Sequence, residues 1–347
     1  MPLISDKIHR MNDFRMWSTS FCLILVLSLV LSGCKNTRPI EQQPLFSPRV
    51  ALIGTGLSPR STQPDDFTGF FAKAKQMGDV VMWAGDWLEL NNTTGGGPAV
   101  VAGLAATYGY IPLIEGQFFT QSTGTLLRPL DDETRQVYQN SAVAFARKYA
   151  LKYLGLGIEI NILYERSPAD FEAFSQFFSE VYDAVKEASP DTKVFTVFQL
   201  EKMKGLNGGL FGGSNDPDKA QWALLDKFSK SDIIAFTTYP GLIYKDPAEI
   251  PDDYYTDISR HTAKPVAFTE IGWHSEASPP GWESSGDEQA RFVSKFFSLT
   301  QDFHRELTIW SFMYDQATIE PFRSMGLYNK DGTPKPAWNE WLYQKSR

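Results

Sequence analysis

Two glutamates lie where strands would deliver them: Glu159 closes the apolar run YLGLGIE, and Glu270 closes KPVAFTE before Ile271, Gly272, Trp273 and His274. A carboxylate ending an apolar run is costly to desolvate, so it needs a partner or a task. Brought together, two such acids can divide acid–base work, one keeping a proton to donate and the other staying charged. Further polar and aromatic residues stand beside other apolar runs. Trp83, Asp86 and Trp87 follow the second and Glu115, a rival acid, follows the third. Gln199 and Glu201 follow the fifth, Tyr239 the sixth, and Trp273, His274 and Trp282 the seventh, while Trp310 sits in the eighth. His9, His261, His274 and His304 are scattered without the paired spacing of a zinc site, so no metal is expected.

The runs themselves span residues 50–53, 80–83, 110–114, 153–158, 193–198, 233–237, 265–269 and 307–312, with starts 30 to 43 residues apart. That is the length of a strand, a helix and their two connections. Helical patterns lie between them at 67–76, 132–149, 168–188, 218–228, 288–303 and 335–343. The clearest is 168–188, where Phe171, Phe174, Phe178, Val181, Tyr182 and Val185 form one stripe behind Pro168, and Ser167 with Asp170 predicts a capping box. The Gly-rich stretches 91–97 and 205–213 read as rim loops. Eight such units with no break in composition predict an α/β fold, a single (β/α)8 barrel over 49–347, whose strand ends all face one mouth. A dinucleotide fold fits poorly: Gly54-Thr55-Gly56-Leu57-Ser58-Pro59 lacks the third glycine, and Pro59 stands where its helix should start. No cofactor is expected.

The chain has 347 residues and a net charge of −8, without a basic run, so nucleic acid is not an expected partner. Nine Trp, 14 Tyr and 25 Phe can fill a large core and still leave flat rings for a sugar cleft. Both cysteines, Cys22 and Cys34, precede the barrel, which therefore holds no disulfide. Lys7, Arg10 and Arg15 precede the apolar stretch 21–31, as in a secretory signal. That stretch ends in Leu31-Ser32-Gly33-Cys34, which resembles the bacterial lipobox. The resemblance implies a signal peptide over 1–33, a lipid on Cys34, and residence in the cell envelope, at the outer membrane if the cell is Gram-negative. Residues 34–48 read as a tether.

The two glutamate runs, fourth and seventh of eight, resemble the retaining glycoside hydrolases of clan A. Thr269-Glu270-Ile271-Gly272-Trp273 is similar to the seventh-strand motif of several families in that clan. The fourth-strand motif departs from the usual Asn-Glu pair, since Ile158 precedes Glu159 and Asn161 follows it. The resemblance implies Glu270 as nucleophile and Glu159 as acid/base, the first ionised and the second kept protonated by burial. It further implies Tyr239 as hydrogen-bond support for Glu270, Asn161 in a supporting role and Trp310 as a sugar platform. Trp83, Asp86, Glu115, Gln199, Trp273 and His274 become candidate sugar contacts. The expected substrate is a β-linked glycan such as galactan or mannan, cut by a monomeric, endo-acting enzyme. The alternative is a surface lipoprotein that binds glycans without cleaving them.

Overall fold

A computed structural model describes residues 51–347. The expected signal peptide, Cys34 and the tether lie outside the described residues.

Eight parallel strands form the centre: β1 (Leu52–Gly56), β2 (Val80–Asp86), β3 (Ile111–Gln117), β4 (Tyr153–Leu156), β5 in two segments (Lys193–Phe195 and Val197–Gln199), β6 (Ile234–Thr238), β7 (Val266–Ile271) and β8 (Arg305–Trp310). Each predicted run contains its strand or overlaps it. Neighbours pair in sequence order and β1 pairs with β8. The ring closes through β5, whose first segment pairs with β4 and whose second pairs with β6.

Alternation along the strands divides two cores. Val80, Met82, Leu113, Tyr153, Phe195, Val197, Ala235, Ala267, Leu307 and Ile309 fill the barrel interior. Val81, Trp83, Ile114, Leu154, Phe236, Phe268 and Trp310 point the other way, into the layer beneath the helices. That outer layer is closed by α1 (Pro64–Met77), α2 (Gly96–Tyr108), α3 (Asp132–Tyr149), the short α4 (Ile160–Arg166), α5 (Pro168–Ala188), the one-turn α6 (Leu200–Met203), α7 (Gly286–Thr300) and α8 (Pro336–Lys345). The α5 stripe is buried at Phe171, Phe174, Phe178, Val181 and Val185, at roughly 1.5–3 kcal/mol per side chain.

Several local expectations are corrected. Ser167 does not cap the α5 backbone; its hydroxyl donates to the Asp170 carboxylate at 2.6 Å instead. The helix expected at 218–228 is replaced by two 3-10 turns, Pro217–Lys219 and Trp222–Phe228. Between β6 and β7 the connection is again made of 3-10 turns, so two of the eight units lack a full α-helix. Conversely, α2 begins inside the stretch read as a loop: its Gly- and Ala-rich sequence carries almost no amphipathic period, because it is apolar nearly all round.

Candidate active site

After β4 the chain turns sharply. Gly157 and Glu159 both adopt left-handed backbone, Glu159 at φ +57°, before α4 starts. A glutamate rarely sits there, at a cost of roughly 1–2 kcal/mol. The turn is held from both sides: Gln117 at the end of β3 donates to the Ile158 carbonyl (2.9 Å), and Thr196 between the β5 segments donates to the Gly157 carbonyl (3.2 Å). The Glu159 carboxylate is thereby aimed over the barrel. Its Oε1 accepts from Thr237 (2.7 Å) and Gln199 (3.2 Å).

Glu270 reaches the same place by another device. Alternation from Ala267, which faces in, would turn Glu270 outward toward the helices. One extra residue in β7 prevents this: Phe268 to Ile271 on β7 spans Thr308 to Trp310 on β8, and Glu270 comes into register with the inward Thr237 of β6. Such a bulge re-aims a side chain. The Tyr239 hydroxyl donates to Glu270 Oε2 and lies 2.8 Å from the Ser311 hydroxyl.

The two acids thus flank Thr237, one bonded to its hydroxyl and the other on its register partner. Burial raises the Glu159 carboxyl above the usual range, against the Thr237 and Gln199 bonds and the Lys202 charge that pull it down. Glu270 was expected to stay ionised, yet burial and then the charge of Glu159 push it up to about 7, with Tyr239 acting in the opposite sense. The pair therefore holds on to a proton near neutral pH.

A third carboxyl lies below. Glu115 is fully buried inside the barrel, and neither of its oxygens makes a hydrogen bond of good geometry. Burial and then the Glu270 charge raise it well above the carboxylate range, which favours its neutral form. Its register partner on β4 is Gly155, and a Cβ there would stand 2.8 Å from Glu115 Cγ. Glu115 is therefore a floor residue without access to a sugar. Glu201 is also buried; its Oε1 accepts from Thr238, Tyr254 and the Tyr239 amide, and burial lifts it to about 7.

No protein-family model matches the chain, and no curated protein is detectably similar to it in sequence. Solved structures do match. A family 39 glycoside hydrolase from Bacteroides cellulosilyticus superposes with a TM-score of 0.60 at 17% identity, over 85% of this chain and 63% of the other. An exo-β-1,4-mannosidase from an Opitutaceae bacterium gives 0.58 at 14% identity, over 85% and 59%. A family 5 enzyme from Bifidobacterium longum, in complex with Manβ1-4GlcNAc, gives 0.60 at 15% identity, over 86% and 78%. The fold is that of the glycoside-hydrolase (β/α)8 barrels. The chain spans about three fifths of the length of the first two proteins.

Within this barrel the mouth gathers Glu159, Glu270, Tyr239 and Gln199. Asn161 stands one layer behind: fully buried, it accepts from the Gln199 amide (2.8 Å) and donates to the Gln199 carbonyl (3.1 Å) and to Gln221 (2.9 Å), so it fixes the end of β5. The expected aromatic contacts are corrected. Trp310 faces outward between Phe292 and Trp341 and donates to the Met325 carbonyl, leaving no face for a sugar. Trp83 lies in the same outer core, and Trp87 stacks on Tyr138. Trp273 is fully buried against Phe292 with its Nε1 on Ser284 and Glu288. His274 is buried against the Trp282 carbonyl, and burial lowers its basicity. Asp86 is occupied by a two-pronged pair with Arg128 at 2.7 and 2.8 Å. Sequence reasoning missed Thr237, Gln117 and Ser311. Their signal was a polar residue continuing the inward alternation at or next to a strand's C-terminal end. Among the described residues no cluster of His, Cys, Asp or Glu is placed to hold a metal ion.

Proposed function

We propose that the protein is a retaining glycosidase acting on a β-linked glycan such as mannan or galactan, with Glu270 as nucleophile and Glu159 as acid/base. The observation that carries this reading is the convergence of Glu159 and Glu270 on Thr237 at the strand ends, with the Tyr239 hydroxyl on Glu270. In the first step the ionised Glu270 attacks the anomeric carbon as the glycosidic bond breaks, and Glu159 gives its proton to the departing oxygen. In the second, Glu159 takes a proton from water, which displaces Glu270 and releases the sugar. The electrostatics suit this order. Once Glu159 carries the shared proton, the charge that raises Glu270 is gone and Glu270 ionises more readily. Endo action, like the identity of the sugar, belongs to the same proposal.

A 2-deoxy-2-fluoro-β-mannoside or β-galactoside with a good leaving group tests it. Mass spectrometry of the digest is expected to place the sugar on the peptide containing Glu270, and Glu270→Gln to abolish both labelling and turnover. Turnover that survives Glu270→Gln rejects the assignment. The rival reading, glycan binding without cleavage, draws on Ile158: it packs into the barrel interior where a polar contact to the sugar would otherwise stand. Under that reading no covalent sugar forms.

A further inference from the structure

The mouth of the barrel has two unlike halves. On one side stand Glu159, Gln199 and Thr237. On the other, loops following β5, β6 and β8 surround Tyr239 with buried Leu242 and Met325, and with half-exposed Phe211, Phe312 and Phe322. Phe322 meets the Tyr239 ring edge-on, with centroids 5.1 Å apart at 86°. It is thus one ring removed from Glu270, whose own aromatic contact is Tyr239. Its loop is anchored by Lys335, which donates to the Ser324 carbonyl at 2.9 Å and pairs with Asp315 at 2.6 Å. A pyranose is divided in the same way, an apolar C–H face on one side and a rim of hydroxyls on the other.

Charge narrows the sugar further. Among the described residues, Lys202 is the cation whose charge acts on Glu159, and it is committed to Glu165 (2.7 Å) and Asn207 (2.9 Å). Arg323, beside Phe322, pairs with Glu276 (2.9 Å) and Glu320 (3.1 Å). A sugar carboxylate entering here would meet anions, with Lys202, Arg323 and Lys335 each already paired with a carboxylate.

Resting on the glycosidase reading above, we propose that the site accepts an uncharged pyranose with its apolar face against Phe322, and that uronic acids are excluded. The test is a calorimetric titration at pH 8 of the full chain carrying Glu159→Gln, which keeps the Glu270 charge. The probes are β-1,4-mannohexaose and β-1,4-galactohexaose, and the β-1,4-mannuronate hexamer, which differs from the first in its C6 carboxylates. A neutral hexamer is expected to bind about 100-fold more tightly than the mannuronate. Adding Phe322→Ala should weaken it about tenfold, Phe322→Tyr should restore it, and Tm should stay unchanged in both. Mannuronate bound as tightly as the better neutral probe, no binding by either neutral probe, or an affinity indifferent to Phe322→Ala each overturn the proposal. Selective binding without a covalent adduct on Glu270 would sink only the catalytic reading; an adduct without this selectivity would sink only the present one.

Discussion

Glu159 holds a backbone conformation that a side chain other than glycine's seldom accepts, and Gln117 and Thr196 clamp the chain on either side of it. Strain of this kind persists where surrounding bonds over-determine it, and it fixes the carboxylate's aim. Tyr239 does comparable work for Glu270 through its hydroxyl. Replacing it by Phe removes a hydrogen bond to a charged group and the contact to Ser311, so kcat is expected to fall about 10- to 100-fold. The bond also holds the Glu270 pKa down. Without it the pKa rises above about 7, and the acid limb of the kcat/KM profile moves to higher pH. A profile that keeps its acid limb in Tyr239→Phe would show that Glu270 does not set it. Both acids were legible as strand-ending carboxylates. The tryptophans were misjudged because proximity to a strand end was weighed above the two-residue alternation: Leu307 and Ile309 point inward, so Trp310 must point outward.

At the scale of strands, two devices arrange the mouth. The extra residue in β7 turns Glu270 inward, and nothing in TEIGW announces it, because a bulge is a property of pairing with β6 and β8. The second is the exchange of volume between β3 and β4, where the absence of a side chain at Gly155 makes room for Glu115. Gly155→Ala therefore forces its methyl onto Glu115 Cγ and is expected to cost about 1–3 kcal/mol in chemical denaturation. In a Glu115→Ala background the same substitution should cost much less, and equal costs in the two backgrounds would disprove the contact. Glycine in YLGLGIE was visible from the outset; that it answers a glutamate on another strand became visible only with the register. The unforeseen α2, apolar on most sides, lacks the period that marks an amphipathic helix, whereas at 218–228 a helical pattern was present and the chain formed 3-10 turns instead.

Across the whole molecule, the eightfold recurrence of apolar runs was enough to specify the barrel, because each run is buried on both faces and stands out against polar connections. Several carboxyls buried in and around the barrel, however, are shifted toward holding their protons. Glu115, Glu201 and Glu270 all have folded-state pKa values above the ordinary 4.5, the latter two at about 7. Each binds its proton more tightly folded than unfolded, so its stabilising neutral form is fully present below about pH 4.5, and for Glu201 and Glu270 it is lost as pH rises through about 7. Glu201→Gln mimics that neutral form. Its Tm relative to wild type is therefore expected to climb by a few degrees between pH 5 and pH 8, and a constant difference would refute the assignment. The division of β5 has a further consequence. The ring is joined where one strand hands its hydrogen bonds from β4 to β6, a joint lying between the strand that leads to Glu159 and the one that leads to Tyr239. If the hoop springs open there, Glu159 parts from Glu270 while the other strand pairs stay closed, so the least continuous stretch of the wall is also the one on which the proposed cleavage would depend.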